Sequence, residues 1–466
     1  MSNWNKTKIV ATLGPASARR GVLRKMIQAG ADIFRINGAH GTAEEHKRTA
    51  ALVRDVAKGL KTSVAILVDL PGPKFRIGKL KSEPVFLKAG GTVELSCMEG
   101  VQRGDEIPVP HSIHANLRPG SRIFVNDGIV ALAVLKVEGK KVLCRVKAGG
   151  EIRSNKGINL PGTKLSAPAL TAKDKRVLDT AIRIGADYVG LSFVRSRSNI
   201  SSLRRVLKRR APHAGIVAKI EKPEALENLR EIIDVSDAVM IARGDLGIEM
   251  PFDQVPLLQR MILRECAAAG KPAITATQMM ESMVSSSRPT RAEATDVAGA
   301  VWEGTDAVML SEETSVGKNP ATAVRAMAKI ALRAEGAMFE LPAPGACAET
   351  GLFQSRVLSE AAAFVAASLG ARAIVAPTRS GRTPLAVSRM RPAVPVLAPT
   401  EDERAARRMC LYWGVRPMAM PKSTTVDGML KESERAALES GFIRRGDRIV
   451  IVSGAHGRKG DSTRLV

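Results

Sequence analysis

The 466-residue sequence has few aromatic residues, few cysteines and no long apolar segment. Aromatic side chains, on which nucleic-acid-binding proteins stack bases, make up only 3% of it. No apolar run approaches the roughly 20 residues that span a bilayer, and residues 1–8 lack the zones of a secretory signal. We therefore expect a cytoplasmic protein without a membrane partner. The five cysteines are scattered and form no Cys-x-x-Cys pair, which fits a reducing compartment and argues against a structural zinc site: Cys97, Cys144, Cys266, Cys347 and Cys410.

The sequence is also short of acidic residues relative to basic ones. It contains 71 Lys and Arg against 46 Asp and Glu, a formal net charge of +25. Such an excess suggests nucleic acid or an anionic membrane as a partner, but the sequence has no basic tail and few aromatic residues. A basic surface on a globular protein, or a polyanionic small substrate, accounts for the charge as well. We therefore expect no nucleic acid partner.

The sequence does contain a regular series of short apolar runs, most of them followed by a stretch of helical character. Because the runs are continuous rather than alternating, they predict strands buried on both faces, as in a parallel sheet covered by helices. Eight such units are the number that closes a (β/α)8 TIM barrel, and an open doubly wound sheet is the alternative. The runs begin near Lys8, Ala31, Val64, Asp187, Ile216, Asp237, Pro272 and Thr305.

Two parts of the chain depart from this series. Residues 77–153 contain alternating apolar runs and glycine-rich turns, which are typical of an all-β domain. This insertion follows the third strand, at the end of a barrel where active-site loops emerge. After residue 338, strands and helices alternate again as a separate open α/β domain. The predicted division is a barrel of residues 1–70 and 157–338, a β-barrel cap of residues 71–156 and a C-terminal domain of residues 339–466.

Charged residues follow the predicted strands at the end of the barrel where active sites lie. Lys219 and Glu221 share one face of the fifth strand, and Asp245 follows the neighbouring strand. Two carboxylates there suit Mg²⁺, which takes few carboxylates and keeps several waters. For Lys219 and Glu221 alone, a structural ion pair is the alternative interpretation.

Features that suit phosphate groups accompany these carboxylates. The turn that begins at Gly244 and Asp245 presents backbone N–H groups at a helix N-terminus. A Walker-type phosphate loop is absent from the sequence, so a nucleotide would be bound by basic side chains and metal: Arg35, Arg76, Lys156 and Lys219. In the C-terminal domain, a hydroxyl-rich turn between a strand and a helix predicts either a phosphate cradle or only a tight turn: Thr378, Ser380, Gly381, Arg382 and Thr383.

Ordered motifs along nearly the whole chain resemble the pyruvate kinase family. The resemblance implies a barrel with an inserted β cap and a C-terminal regulatory domain. It also implies a cytoplasmic homotetramer that transfers a phosphoryl group from phosphoenolpyruvate to ADP, giving pyruvate and ATP. The motifs include TKIVATLGPAS at residues 7–17, RINGAHG at 35–41, LVDLPGPKFRIG at 67–78, NKGINLPG at 155–162, AKIEKPEALENL at 218–229, MIARGDLGIE at 240–249, TATQMMESM at 275–283 and RPTRAEATDVAGAV at 288–301.

The resemblance implies roles for individual residues as well. Glu221 and Asp245 would bind Mg²⁺ or Mn²⁺, and Lys219 would neutralise the transferring phosphoryl group. Arg35 would bind phosphate, the amides of Gly244 and Asp245 would bind the enolpyruvate carboxylate, and Thr277 would help to protonate the enolate. The turn of residues 378–383 would bind a phosphorylated effector. The residues implied on the nucleotide side are Asn37, His40, Arg76 and Lys156.

The sequence departs from the family at a site for a monovalent cation. Many members bind K⁺ through Asn, Ser, Asp and Thr; here Asn37 and Asp69 remain, whereas Ala39 and Leu70 replace the other two. Lys74 stands where K⁺-requiring members have Glu, so its ammonium group could take the place of the ion. We therefore expect an enzyme that does not require K⁺.

Two other functions stay open on the residues alone. A nucleic-acid-binding or scaffolding protein built on the barrel would use the net charge of +25 and would form no pyruvate. A barrel lyase or aldolase acting on an enolpyruvate-like substrate would share the Mg²⁺ site. Such an enzyme would need neither the basic residues of the nucleotide side nor the cap.

Overall fold

Strands and helices alternate in the first part of the chain, as the apolar runs predict. The structure is a computed structural model that describes residues 4–97, 106–109, 113–126, 128–162, 168–338, 353–454 and 463–465. The first elements are β1 (Lys8–Thr12), α1 (Arg20–Ala29), β2 (Ile33–Asn37), α2 (Ala43–Gly59) and β3 (Ala65–Leu70).

Short strands then replace the alternation. In the described residues they form a seven-stranded sheet and a separate two-stranded sheet. Most of their pairs are antiparallel, and strands such as the one at Lys141–Ala148 alternate buried and exposed residues, so one face packs on an apolar core of its own. The strands are β4 (Phe75–Arg76), β5 (Val85–Leu87), β6 (Thr92–Ser96), β7 (Ile107–Pro108), β8 (Arg122–Val125), β9 (Val130–Glu138), β10 (Lys141–Ala148), β11 (Gly150–Ile152) and β12 (Gly157–Asn159).

The alternation of helices and parallel strands resumes after this insertion. Its elements are α3 (Ala172–Arg183), β13 (Tyr188–Leu191), α4 (Arg197–Arg210), β14 (Gly215–Ile220), α5 (Pro223–Glu227), α6 (Leu229–Val235), β15 (Ala238–Ala242), α7 (Arg243–Glu249), α8 (Val255–Ala269), β16 (Ala273–Ala276), α9 (Arg291–Trp302), β17 (Ala307–Leu310), α10 (Glu312–Ser315) and α11 (Pro320–Met338).

The parallel strands close into a barrel in the order β1-β17-β16-β15-β14-β13-β3-β2. Every residue of β1, β3 and β14 is buried, which explains why these strands are mostly apolar in sequence and do not alternate. Phe34 and Ile66 belong to the core between the strands and the outer helices. Thr42, Thr171 and Thr290 begin α2, α3 and α9 with reciprocal capping hydrogen bonds, which fix where these helices start.

A second parallel sheet forms the C-terminal part of the chain. Its strand order is β20-β19-β18-β21-β22, and only the pairing of β21 with β22 is antiparallel among the described strands of this sheet. The elements are α12 (Phe353–Ser368), β18 (Ala373–Val375), α13 (Arg382–Ser388), β19 (Val396–Thr400), α14 (Glu403–Met409), β20 (Val415–Ala419), α15 (Val426–Glu439), β21 (Ile449–Gly454) and β22 (Thr463–Leu465).

The C-terminal part packs against the N-terminal ends of the barrel strands. Four aspartates at this end each directly precede a barrel strand. Each accepts a hydrogen bond of 2.7–2.9 Å from an N–H near the start of an adjoining strand. The Tyr188 hydroxyl donates to the Arg408 carbonyl oxygen at 2.7 Å. These aspartates are Asp32, Asp187, Asp237 and Asp306. Three of them also form ion pairs with arginines of the C-terminal part: Asp187 with Arg407 at 2.8 Å, Asp237 with Arg408 at 3.9 Å and Asp306 with Arg391 at 2.9 Å.

The predicted fold class is confirmed: a (β/α)8 barrel carries an inserted β-sheet region and is followed by an open α/β region. β22 was not predicted. The exact domain boundaries stay a prediction, and residues 339–352, where one of them falls, lie outside the described residues together with Cys347. The cysteines within the described residues are all free and buried. No described helix has both the length and the apolar character needed to cross a membrane.

Candidate active site

The predicted catalytic residues lie together at the C-terminal ends of the barrel strands. Arg35 and Asp69 lie on the adjacent strands β2 and β3, Lys219 lies on β14, and Glu221 directly follows β14. Asp245 lies in the first turn of α7, which directly follows β15. Because parallel barrel strands end at one rim, residues that are distant in sequence share one mouth.

The Lys219 ammonium group is at the centre of this cluster. Its Nζ lies 2.8 Å from Glu221 Oε1 and 3.5 Å from Asp69 Oδ2, and it donates a 2.9 Å hydrogen bond to Ser192 Oγ. Lys219 is only 7% exposed. Burial alone would lower the pKa of Lys219, but the two carboxylates outweigh burial and raise the pKa above its ordinary value. Lys219 is therefore a fixed positive charge at neutral pH and not a proton acceptor.

Arg35 provides a second cation beside Lys219. Its Nε donates a 2.7 Å hydrogen bond to Asp69 Oδ2, and its Nη1 donates to Thr12 Oγ1 at 3.2 Å. Burial alone would raise the pKa of Asp69, but Arg35 and Lys219 together lower it below its ordinary value. The ionised Asp69 thus positions both cations. Only glycine fits beside it, because a Cβ at Gly190 would lie 2.1 Å from Asp69 Oδ1.

Glu221 carries a charge that the surrounding protein does not fully balance. Its Oε2 accepts a 2.7 Å hydrogen bond from the Phe193 amide, and its buried Oε1 has the Lys219 ammonium group 2.8 Å away as its ion-pair partner. Burial raises the pKa of Glu221, the Lys219 ammonium opposes this, and the nearby Asp245 carboxylate raises the pKa further. A divalent cation between the two carboxylates would offset this repulsion. The residues present therefore fit Mg²⁺, which needs few protein ligands.

One cation of the protein lies beside Asp245. Lys74, which directly precedes β4, has its Nζ 3.2 Å from Asp245 Oδ1. In contrast, Asn37 Oδ1 accepts a 3.1 Å hydrogen bond from the Ala39 amide in its own turn. The ammonium group of Lys74 is therefore paired with a candidate metal ligand, while the remaining residues of the monovalent-cation site, Asn37 and Asp69, are engaged by other groups.

Thr277 directly follows β16 in a turn with a strained backbone. Thr277 and Gln278 have φ angles of 68° and 54°, in the left-handed region that costs a non-glycine residue about 1–3 kcal/mol. Thr277 Oγ1 accepts a 2.7 Å hydrogen bond from the Gly244 amide and donates to the Ala276 carbonyl oxygen at 2.5 Å. The Gly244 amide, which the family resemblance assigns to a substrate carboxylate, is thus bonded to Thr277 in this structure.

Arg243 holds this turn in place. Its Nη2 donates to the carbonyl oxygens of Thr277 and Gln278 at 2.8 and 3.2 Å. Nη1 and Nη2 also form a bidentate pair with Asp296, at 2.6 and 2.7 Å. Because a bidentate arginine–carboxylate pair fixes direction as well as charge, Arg243 offsets the strain of the turn and sets the position of the Thr277 hydroxyl.

Comparison with known proteins decides the family of the chain. A family model described as "Pyruvate kinase, barrel domain" matches residues 4–324, and one described as "Pyruvate kinase, alpha/beta domain" matches residues 356–465. The pyruvate kinase of Geobacillus stearothermophilus is 40% identical, over 99% of this chain and 79% of that protein. The pyruvate kinase of Mycobacterium tuberculosis is 40% identical, over 98% of this chain and 97% of that protein. A pyruvate kinase of Agrobacterium vitis is 41% identical, over 96% of this chain and 95% of that protein.

The chain belongs to the pyruvate kinase family. It is therefore a phosphotransferase, and family membership gives phosphoenolpyruvate and ADP as its substrates.

The residues that the family resemblance places on the nucleotide side come from the barrel and from the inserted sheet. His40 lies at the surface. Partial desolvation of its ring and the positive charges of Arg76, Lys173 and Arg35 lower its pKa, so these cations lie near the ring. Pairing of β4 with β12 brings Arg76 opposite Gly157, the residue after the exposed Lys156. The basic residues of the insertion therefore lie next to one another.

The predicted effector turn lies between β18 and α13. Thr378 Oγ1 accepts a 3.0 Å hydrogen bond from the Gly381 amide, and Arg382 Nε donates to Ser380 Oγ at 3.4 Å. Gly381 has a φ of 83°, which favours glycine at this position. Thr383 lies in the first turn of α13. The polar groups of the turn are thus partly bonded to one another.

Ser192, Arg243 and Asp296 have no role among the residues predicted from the sequence. Ser192 directly follows β13, so the rule that strand ends form the site could have identified it. Asp296 lies inside α9, where no local pattern distinguishes it from a surface acid. Its pairing with Arg243 depends on how two outer helices pack.

We predict that Arg243→Met lowers kcat by roughly 100-fold while the protein stays folded, because small displacements of reacting groups have effects of this size. The turn at Thr277 would lose the donor that holds its carbonyl oxygens. The measurement is steady-state pyruvate formation together with a thermal melting curve. Arg230→Met is the matched control, since Arg230 also forms two hydrogen bonds to one carboxylate, of Glu265, on exposed outer helices. Equal kcat values for the two variants would contradict the role of Arg243.

Proposed function

We propose that the mouth of the barrel catalyses the Mg²⁺-dependent transfer of the phosphoryl group of phosphoenolpyruvate to ADP. The observation that carries the proposal is the position of the Lys219 ammonium between the Glu221 and Asp69 carboxylates, within the electrostatic range of Asp245. The ammonium group held in this position can neutralise part of the negative charge that spreads over the oxygens of a transferring phosphoryl group.

Glu221 and Asp245 would hold the metal ion, Mg²⁺ or Mn²⁺. The burial of Glu221 and the effect of the Asp245 carboxylate on the pKa of Glu221 support this assignment. When bound, the ion would supply further neutralisation of charge on the phosphoryl and enolate oxygens.

Lys219 and Arg35 would bind the phosphoryl group and hold it in line with the nucleotide. An oxygen of the ADP β-phosphate forms the new bond to phosphorus, and the bond between phosphorus and the enol oxygen breaks, which leaves the enolate of pyruvate. The methylene carbon then takes up a proton. Thr277 Oγ1 would orient the water that delivers the proton, because Arg243 fixes the turn that carries Thr277. The amides of Gly244 and Asp245 would bind the substrate carboxylate once Thr277 releases the first of them.

The basic residues of the insertion would bind the nucleotide. Arg76 lies on β4 of the inserted sheet and Lys156 directly precedes β12, whereas Asn37 is the last residue of β2 and His40 follows it on the barrel. In this proposal residues 71–156 form a cap that closes over residues 1–70 and 157–338 and excludes water during transfer.

Regulation and assembly complete the proposal. The turn that includes Thr378, Ser380, Gly381, Arg382 and Thr383 would bind a phosphorylated effector, since hydroxyls and a helix start suit phosphate. Residues 339–466 would form the regulatory domain. We propose that the enzyme is a cytoplasmic homotetramer, in keeping with its family.

The test is pyruvate production from phosphoenolpyruvate, measured with and without ADP and with and without Mg²⁺. We expect pyruvate only when both are present. Pyruvate formed without ADP would favour a lyase. No pyruvate, combined with DNA or RNA binding that weakens steeply with salt, would favour a nucleic-acid-binding protein.

We predict that the enzyme works without K⁺. Lys74 places a positive charge 3.2 Å from Asp245 Oδ1, and Ala39 and Leu70 offer no side-chain oxygen to a monovalent ion. The measurement compares turnover in KCl with turnover in tetramethylammonium chloride at the same ionic strength, and we expect equal rates. A rate that rises many-fold in KCl would show that the ammonium group does not replace the ion.

A further inference from the structure

We propose that the buried ion pair of Lys222 and Glu249 is a positioning element that couples the inserted sheet to the two candidate metal ligands. This inference rests on the proposed function, in which Glu221 and Asp245 hold the metal and the inserted sheet carries the nucleotide-binding residues.

The pair has a third partner on the inserted sheet. Lys222 Nζ donates a 2.6 Å hydrogen bond to Glu249 Oε1, and Asn159 Nδ2 donates to the same oxygen at 3.4 Å. Lys222, Glu249 and Asn159 are only 9%, 7% and 4% exposed. One carboxylate oxygen therefore connects three segments of the chain away from solvent.

Each of the three residues lies close to a group of the site along its own segment. Lys222 directly follows Glu221, and Glu249 lies one helical turn after Asp245 on α7. Asn159 lies on β12, three residues after Lys156. A shift of any one segment is thereby transmitted to the other two.

Phe193 provides a second connection between the same parts. Its amide donates to Glu221 Oε2 at 2.7 Å, and the Lys222 ammonium lies 5.7 Å from the centre of its ring. The segment that enters the insertion packs directly on this ring, because a Cβ at Gly72 would lie 2.6 Å from Phe193 Cδ2. Lys222 thus contacts the entry side of the insertion through Phe193 and its exit side through Glu249.

The pair lies beside a crevice between the insertion and the barrel. Lys222 and Asn159 line this crevice, together with the apolar side chains of Phe75, Leu160 and Phe193. A buried ion pair adds little stability compared with an apolar pair of the same volume. We therefore expect the ion pair to fix the relative positions of its segments more than to stabilise the fold.

The test uses four variants of the full chain: Lys222→Met, Glu249→Gln, the double variant and Lys222→Arg. The readouts are the KM for ADP, kcat, Mn²⁺ affinity from electron paramagnetic resonance, hydrogen exchange of β12 and the melting temperature. Arg54→Met is the matched control. Arg54 also pairs with a buried carboxylate, Asp187, at 2.6 Å, but at the opposite end of the barrel.

We expect Lys222→Met and Glu249→Gln, which each remove one charge of the pair, to lower Mn²⁺ affinity or kcat/KM for ADP by roughly 10- to 100-fold. Losses of this size are typical when a residue that orients a metal ligand is replaced. The double variant should recover most of the melting temperature, because no unpaired buried charge remains, while its kinetic defect and faster exchange of β12 persist. Lys222→Arg should restore function in part, and Arg54→Met should change only stability.

A double variant that recovers kinetics together with stability would overturn the inference, and so would single variants with wild-type Mn²⁺ affinity and β12 exchange. The proposed function fails separately, if the wild-type protein forms no pyruvate from phosphoenolpyruvate and ADP. The Mn²⁺ and hydrogen-exchange measurements still decide the coupling in that case.

Discussion

The catalytic end of the barrel depends on the interaction of the Lys219 ammonium group with the carboxylates around it. The ammonium group lies among Glu221, Asp69 and the more distant Asp245, whose like charges would otherwise repel one another in a buried position. Arg35 shares Asp69 with it. Burial and the Asp245 carboxylate nevertheless keep the pKa of Glu221 above its ordinary value. A divalent ion and an anionic substrate would complete this balance, which connects the charges of the mouth to the chemistry of the family.

The opposite end of the barrel uses carboxylates for a different purpose. Asp187, Asp237 and Asp306 accept backbone N–H groups of adjoining strands and pair with arginines of the C-terminal part. These acids lie apart from one another, each with its own arginine, whereas at the mouth the Asp245 carboxylate is close enough to raise the pKa of Glu221. The contrast separates a structural end, which joins the barrel to the C-terminal sheet, from a reactive end.

Sequence patterns predicted the barrel because its strands are buried on both faces and therefore continuously apolar. They also predicted that Lys219, Glu221 and Asp245 would meet, because parallel strands end at a common rim. Contacts that depend on side-chain packing between distant segments were beyond such patterns. Lys74 reaches Asp245 across the insertion, and Asp296 pairs with Arg243 between two helices; neither contact has a local signal in the sequence.

The most direct test of this account is the turnover of Lys219→Met, measured as ADP-dependent pyruvate formation beside a melting curve. The variant removes the central charge and keeps the length of the side chain. The account predicts a folded protein whose turnover falls by about 10²–10³-fold, the usual effect of losing one preorganised charge. A folded variant with near-normal turnover would contradict it.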